Sequence, residues 1–82
     1  MIFINLDSLE TVNNLVKICD KYDKHYIDVA YGRYTVDGRS VLGVSSLMGK
    51  IVKIIPVTDD EILTKFIEKE VTEIGGWIEK TN

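Results

Sequence analysis

Apolar residues in this chain switch repeatedly between two spacings, and that switching limits the fold more than any other feature. Leu9, Val12, Leu15, Val16, Cys19 and Tyr22 recur at three and four, as do Leu63, Phe66, Ile67, Val71 and Ile74. Each set forms one face of an amphipathic helix. Between and around them lie short runs rich in β-branched and aromatic residues: residues 1–6, His25 to Tyr31, Tyr34 to Val36, and Ile51 to Ile55. These are strand-like, and the two periods cannot be exchanged without moving apolar side chains off their face. A third, shorter helix of about two turns is predicted from Val41 to Met48, with Ser40 as its N-cap and Gly49 as its stop. The predicted order is β-α-β-β-α-β-α, an α+β domain in which one helical layer covers one antiparallel sheet.

Local signals place the boundaries. Asp7 and Glu10 have the spacing of a capping box ahead of the first helix. Lys21-Tyr22-Asp23-Lys24 ends that helix, Gly32-Arg33 is a tight connection, and Asp37-Gly38 is a turn. Pro56 ends the fourth strand, and Thr58-Asp59-Asp60-Glu61 opens the last helix with acidic residues at the positive end of its dipole. Gly75-Gly76 stops it. The tail from Trp77 to Asn82 either folds back or frays, and Trp77 either covers an end of the core or marks an interaction patch.

With 82 residues the chain is expected to form one domain, 1–82. A chain of this size buries about 60–65% of its unfolded surface, so any functional surface must be simple. The net charge is −3 with no basic run, which points away from nucleic acid. No apolar stretch approaches the roughly 20 residues of a membrane span. The opening Met1-Ile2-Phe3-Ile4-Asn5-Leu6 is too short and uncharged for a secretory signal, so a cytoplasmic location is expected. Cys19 is the single cysteine and lies in an apolar pattern, as a small buried hydrophobe does. No metal cluster, nucleophile–base pair or glycine-rich phosphate loop can be assembled, so neither an enzyme, a cofactor nor a metal is expected.

Two segments, Lys21-Tyr22-Asp23 and the run from Asp37-Gly38-Arg39-Ser40 to Leu47, are similar to the phosphocarrier HPr family of the phosphoenolpyruvate-dependent sugar phosphotransferase system. The resemblance covers nearly the whole chain in the same element order. It implies a two-layer sandwich with a four-stranded sheet of order 1-4-2-3 and three helices on one face. In that family a histidine at the start of the first helix carries phosphate, followed two residues later by an arginine. Here the histidine's place falls on Ser8 and the arginine's on Glu10, with Thr11 where proline is usual. A serine phosphate is a stable ester, whereas imidazole titrates near neutrality and releases its phosphate readily. His25, the only histidine, lies at the second strand, away from the carrier position.

Ser40 matches the position that some family members phosphorylate to signal sugar status. The same hydroxyl is a good N-cap, and both roles are compatible. Arg39 is placed to pair with a phosphate there and Asp37 to oppose it. The resemblance also implies partner-docking positions at Val41, Leu42, Ser45 and Leu47, beside Arg39. Ser45 departs from the bulky hydrophobe usual at its place, and Leu42 and Leu47 could instead pack beneath the helix. Two functions are thereby expected: a regulatory phosphoserine protein, met by a serine kinase, phosphotransferase-system proteins or a transcription regulator, or an interaction module that works without phosphorylation.

Overall fold

The computed structural model describes residues 1–22 and 25–80. Among these, eight elements follow one another: β1 (Ile2–Asn5), α1 (Leu9–Lys21), β2 (Tyr26–Tyr31), β3 (Tyr34–Asp37), α2 (Val41–Ser45), β4 (Ile51–Val57), α3 (Glu61–Glu73) and β5 (Trp77–Ile78). The fold is α+β, with three helices and a five-stranded antiparallel sheet in the order β3-β2-β4-β1-β5. Asp23 and Lys24, placed at the end of the first helix by the sequence, and the last two tail positions lie outside the described residues.

The register sorts strand residues onto two faces. Ile2 pairs with Ile54 and Ile4 with Val52, while Val29 pairs with Ile54 from the other side. Paired residues share a face, so these side chains form one apolar surface. Against it pack Val12, Leu15, Val16, Ile18 and Cys19 of α1, Val44 of α2, and Ile67 and Val71 of α3. Each fully buried side chain of this size contributes about 1.5–3 kcal/mol, which makes this layer contact the main source of stability.

The structure differs from the sequence-based expectations at several points. The first is the sheet, which has five strands where four were expected. After Gly75-Gly76 the tail turns back and pairs with β1, Ile2 opposite Ile78 and Phe3 opposite Trp77. Glu79 N donates to Met1 O at 2.8 Å, and the Met1 ammonium donates to Glu79 O at 2.8 Å. The Phe3 and Trp77 rings stack, with centroids 6.1 Å apart.

At α1 the cap is Ser8, one residue beyond the expected Asp7. Ser8 is extended (φ −155°, ψ 162°) and its Oγ accepts from Thr11 N at 3.2 Å. Asp7 instead accepts from Thr11 Oγ1 at 2.9 Å, so Thr11 takes the place expected for Glu10. α2 is shorter than two turns. Ser45 Oγ and Ser46 Oγ donate back to the carbonyls of Leu42 and Gly43, at 3.1 and 2.6 Å, and such local bonds compete with helix continuation. Pro56 does not end β4, because β1 stops pairing at Ile54 and leaves Pro56 with a neighbour on one side only. A local edge tolerates the missing N–H. His25 precedes β2 as an exposed bend residue whose N–H donates to Tyr22 O at 2.8 Å. On α3 the apolar face is narrower than its spacing implies: Phe66 is 56% exposed, and only Ile67 and Val71 are fully covered.

Candidate functional site

Ser40 sits on a corner that its neighbours build. β3 ends at Asp37, and the chain turns when Ser40 N donates to Asp37 O at 3.0 Å. Gly38 permits the turn by close approach: its N–H donates to Ile27 O at 2.8 Å, and a Cβ there would lie 2.6 Å from Cys19 Sγ. Ser40 then starts α2 in extended geometry (φ −90°, ψ 108°), its Oγ accepting from Gly43 N at 3.0 Å. The residue is exposed. The capping bond uses one lone pair of the hydroxyl and leaves its proton out of that bond.

Arg39 is already engaged by Asp37. Its backbone N–H donates to Asp37 Oδ1 at 2.9 Å, Nε to Oδ1 at 3.3 Å and Nη2 to Oδ2 at 3.0 Å. The guanidinium also lies over the Tyr26 ring, 5.6 Å from its centroid. The hydrogen bond from the Arg39 side chain holds the Asp37 carboxyl below the usual carboxylate range, and the same bond pushes Arg39 up. A forked pair of this kind is stronger than an ordinary surface contact. A phosphate on Ser40 would therefore compete with Asp37 for the guanidinium.

The docking positions divide. Leu42 is 85% exposed and Val41 is also exposed, whereas Leu47 is 7% exposed and belongs to the core. Leu47 therefore corrects the expected set: the turn that follows α2 drives it inward, beneath the corner. Ser45 is half-buried with its hydroxyl bound to Leu42 O. Two apolar residues not singled out from the sequence add to the exposed surface. Met48 follows α2, and Leu9 opens α1, exposed although its spacing assigned it to the buried face. Leu9 is the first residue of α1, in the turn where the helix has only begun.

Ser8 is exposed at the start of α1, shared between Thr11 N and Thr11 Oγ1 (3.1 Å). Among the described residues no hydrogen bond or ion pair links it to Ser40. No group of three or more metal-ligating side chains is assembled among them, and none of their helices is long and apolar enough to cross a membrane.

Comparison with protein-family models, with characterised proteins and with solved structures returns no match. Residue chemistry is what the site offers. Cys19 lies beneath the Ser40 corner, 1% exposed. Burial first, then the carboxylates of Asp37 and Asp20, pushes its thiol up to about 12. The thiolate is the reactive form, so Cys19 is inert in the folded chain. In the native protein near pH 8, a disulfide-exchange reagent is expected to modify it no faster than the chain unfolds, and in denaturant at once. Rapid stoichiometric labelling of the native protein would show that the corner is open.

Proposed function

We propose that the chain is a regulatory relative of the HPr carriers, binding proteins through the α2 surface under control of Ser40. The arrangement β1-β4-β2-β3 within the sheet, with three helices packed on its apolar face, supports the resemblance. The observation that carries the reading is the adjacency of an exposed serine hydroxyl and an 85%-exposed leucine two residues on. An apolar side chain so exposed is a natural centre for a protein contact. Phosphorylation would add about 1.5–2 negative charges beside it and beside Asp37. The Arg39 guanidinium would then be drawn between two anions, changing both the charge and the shape of the docking surface. Ser8 would serve as a cap and not as a carrier, since neither an imidazole nor a free base stands next to it. The protein would act in the cytoplasm by binding, with a serine kinase, phosphotransferase-system proteins or a transcription regulator as partners.

Incubation with HPr serine kinase and ATP, read by intact-mass spectrometry, tests this. One added phosphate on the parent chain and none on Ser40→Ala is expected. Loss of the cap should cost the variant about 1 kcal/mol, leaving it folded. No addition to the parent would overturn the kinase-dependent reading. The Arg39–Asp37 fork favours a second reading, in which the unmodified α2 surface binds by itself. Association with phosphotransferase-system proteins that needs Leu42 but no phosphate would support that alternative.

A further inference from the structure

We propose that the open face of the sheet is a self-association surface, on which a second copy of this chain packs face to face. Antiparallel sheets with helices on one side ordinarily turn polar residues outward on the other. This sheet does so only in part: Asn5, Asp28, Thr35, Asp37 and Lys53 stand on that side, but large apolar residues stand among them. β4 carries large apolar residues on both faces: Val52 and Ile54 point to the helices, and Ile51, Ile55 and Val57 alternate to the other side with Lys53 among them. Register adds Phe3 and Trp77 to that side, stacked on each other, and Tyr26, which pairs with Val57. Ile51, Val57 and Tyr26 are all exposed. A central strand with three large apolar residues on its outer face resembles one covered on both faces.

Charge points to a second copy as the cover. Lys53 pairs with Phe3 on one side and Ala30 on the other, so it stands in the middle of the face. Asp28 pairs with Ile55 and is its diagonal neighbour. Neither makes an ion pair among the described residues, whereas Asp37 and Arg39 neutralise each other. Beside the Asp37–Arg39 pair, the face thus leaves one cation and one anion without an ion pair near its centre, unlike the chain as a whole, whose net charge is −3. A two-fold axis between these positions brings Lys53 of each copy onto Asp28 of the other, since in an isologous contact residue i meets j and j meets i.

Size sets the strength. Seven residues of β4 span about 23 Å and five strands about 24 Å, so the footprint is at most about 500 Å² per copy. That gives about 1,000 Å² in total, the lower bound for a specific interface and the size of a weak, transient one. α2 lies in the helical layer, away from such a dimer, whereas Arg39, whose guanidinium lies over Tyr26, borders its face.

Sedimentation equilibrium between about 5 and about 500 µM is the test, a range that brackets a weak dimer. Trp77 is the only tryptophan and lies on this face, so its emission should shift to the blue as the dimer forms. Lys53→Glu and Asp28→Lys should each weaken association about tenfold or more, by setting like charges opposite one another. An equimolar mixture of the two variants should restore it, because each altered charge then meets its complement across the interface and no contact within one chain can produce that result. A monomer at every concentration with constant Trp77 emission, variants that associate like the parent, or a mixture no stronger than either variant would each overturn the proposal.

Discussion

Gly76→Ala is expected to lower the stability of this protein by about 3 kcal/mol, near the upper end for overpacking at a tight site. The added Cβ would lie 2.6 Å from Val71 Cγ1, 2.8 Å from Phe3 O and 2.9 Å from Val71 O. Two of those atoms are backbone, and they belong to different elements, β1 and the end of α3. Neither can retreat without disturbing the sheet or the helix. Relief must come from β5, which is only two residues long and held chiefly by its pairing with β1. The expected result in chemical denaturation is a lower midpoint, equivalent to about 15 °C in Tm for a chain of this size. Trp77 emission should also move to the red as the indole leaves Phe3. Gly75→Ala separates the causes. Gly75 has φ +110° and nothing within 4 Å of an added Cβ, so alanine there meets backbone strain alone, about 1–2 kcal/mol. Equal losses at the two positions would show that the approach at Gly76 is not what limits the sequence.

Gly38→Ala is the second large effect, and it reaches the candidate site. Its Cβ would fall 2.6 Å from Cys19 Sγ and 2.8 Å from Ile27 O. The thiol is fully buried in the core between α1 and the sheet. A loss of about 2–3 kcal/mol is expected from equilibrium denaturation. Part of the clash is side chain and part is backbone, and a double-mutant cycle distinguishes them. In a Cys19→Ala background the cost of Gly38→Ala should fall by about 1 kcal/mol, while the contact with Ile27 O persists. Strict additivity would place the strain wholly in the backbone. Because Gly38 lies between Asp37 and Arg39, the variant should also displace the Ser40 corner and lower phosphorylation there, if Ser40 is the switch.

Much of the layer architecture was legible because it depends on local pattern. The spacing of Val12, Leu15, Val16 and Cys19 specifies a buried helical face whatever lies opposite. Ser40 was legible as a cap because its side chain satisfies a backbone donor three residues on, a contact that needs no tertiary partner. Ser8 was missed as the cap of α1 because Asp7, Ser8 and Thr11 offer several local hydrogen bonds of similar strength. The choice among them depends on the direction from which β1 enters the helix.

Where one residue could serve two environments, the pattern was silent. Leu42 and Leu47 are five apart in a segment too short to be helical by itself. Which of them faces solvent was decided by where the chain must go to place Gly49 N on Leu6 O, 2.7 Å away. Arg39 was legible as a cation beside Ser40; its bonds to Asp37 are local, two residues apart, but its position over Tyr26 follows from the pairing of β3 with β2. The fifth strand is of the same kind, since two residues with no turn signal beyond Gly75-Gly76 become a strand only because β1 has an open edge and Phe3 waits there for Trp77.

The sequence by itself determined the types and order of the first seven elements and the buried face of α1 from Val12 to Cys19, because period and capping act over a few residues. The tertiary structure alone decided which exposed side chains share a surface. It aligned Phe3, Trp77, Ile55 and Lys53 on one face of the sheet and separated Leu42 from Leu47, because register and layer packing join residues far apart in the chain.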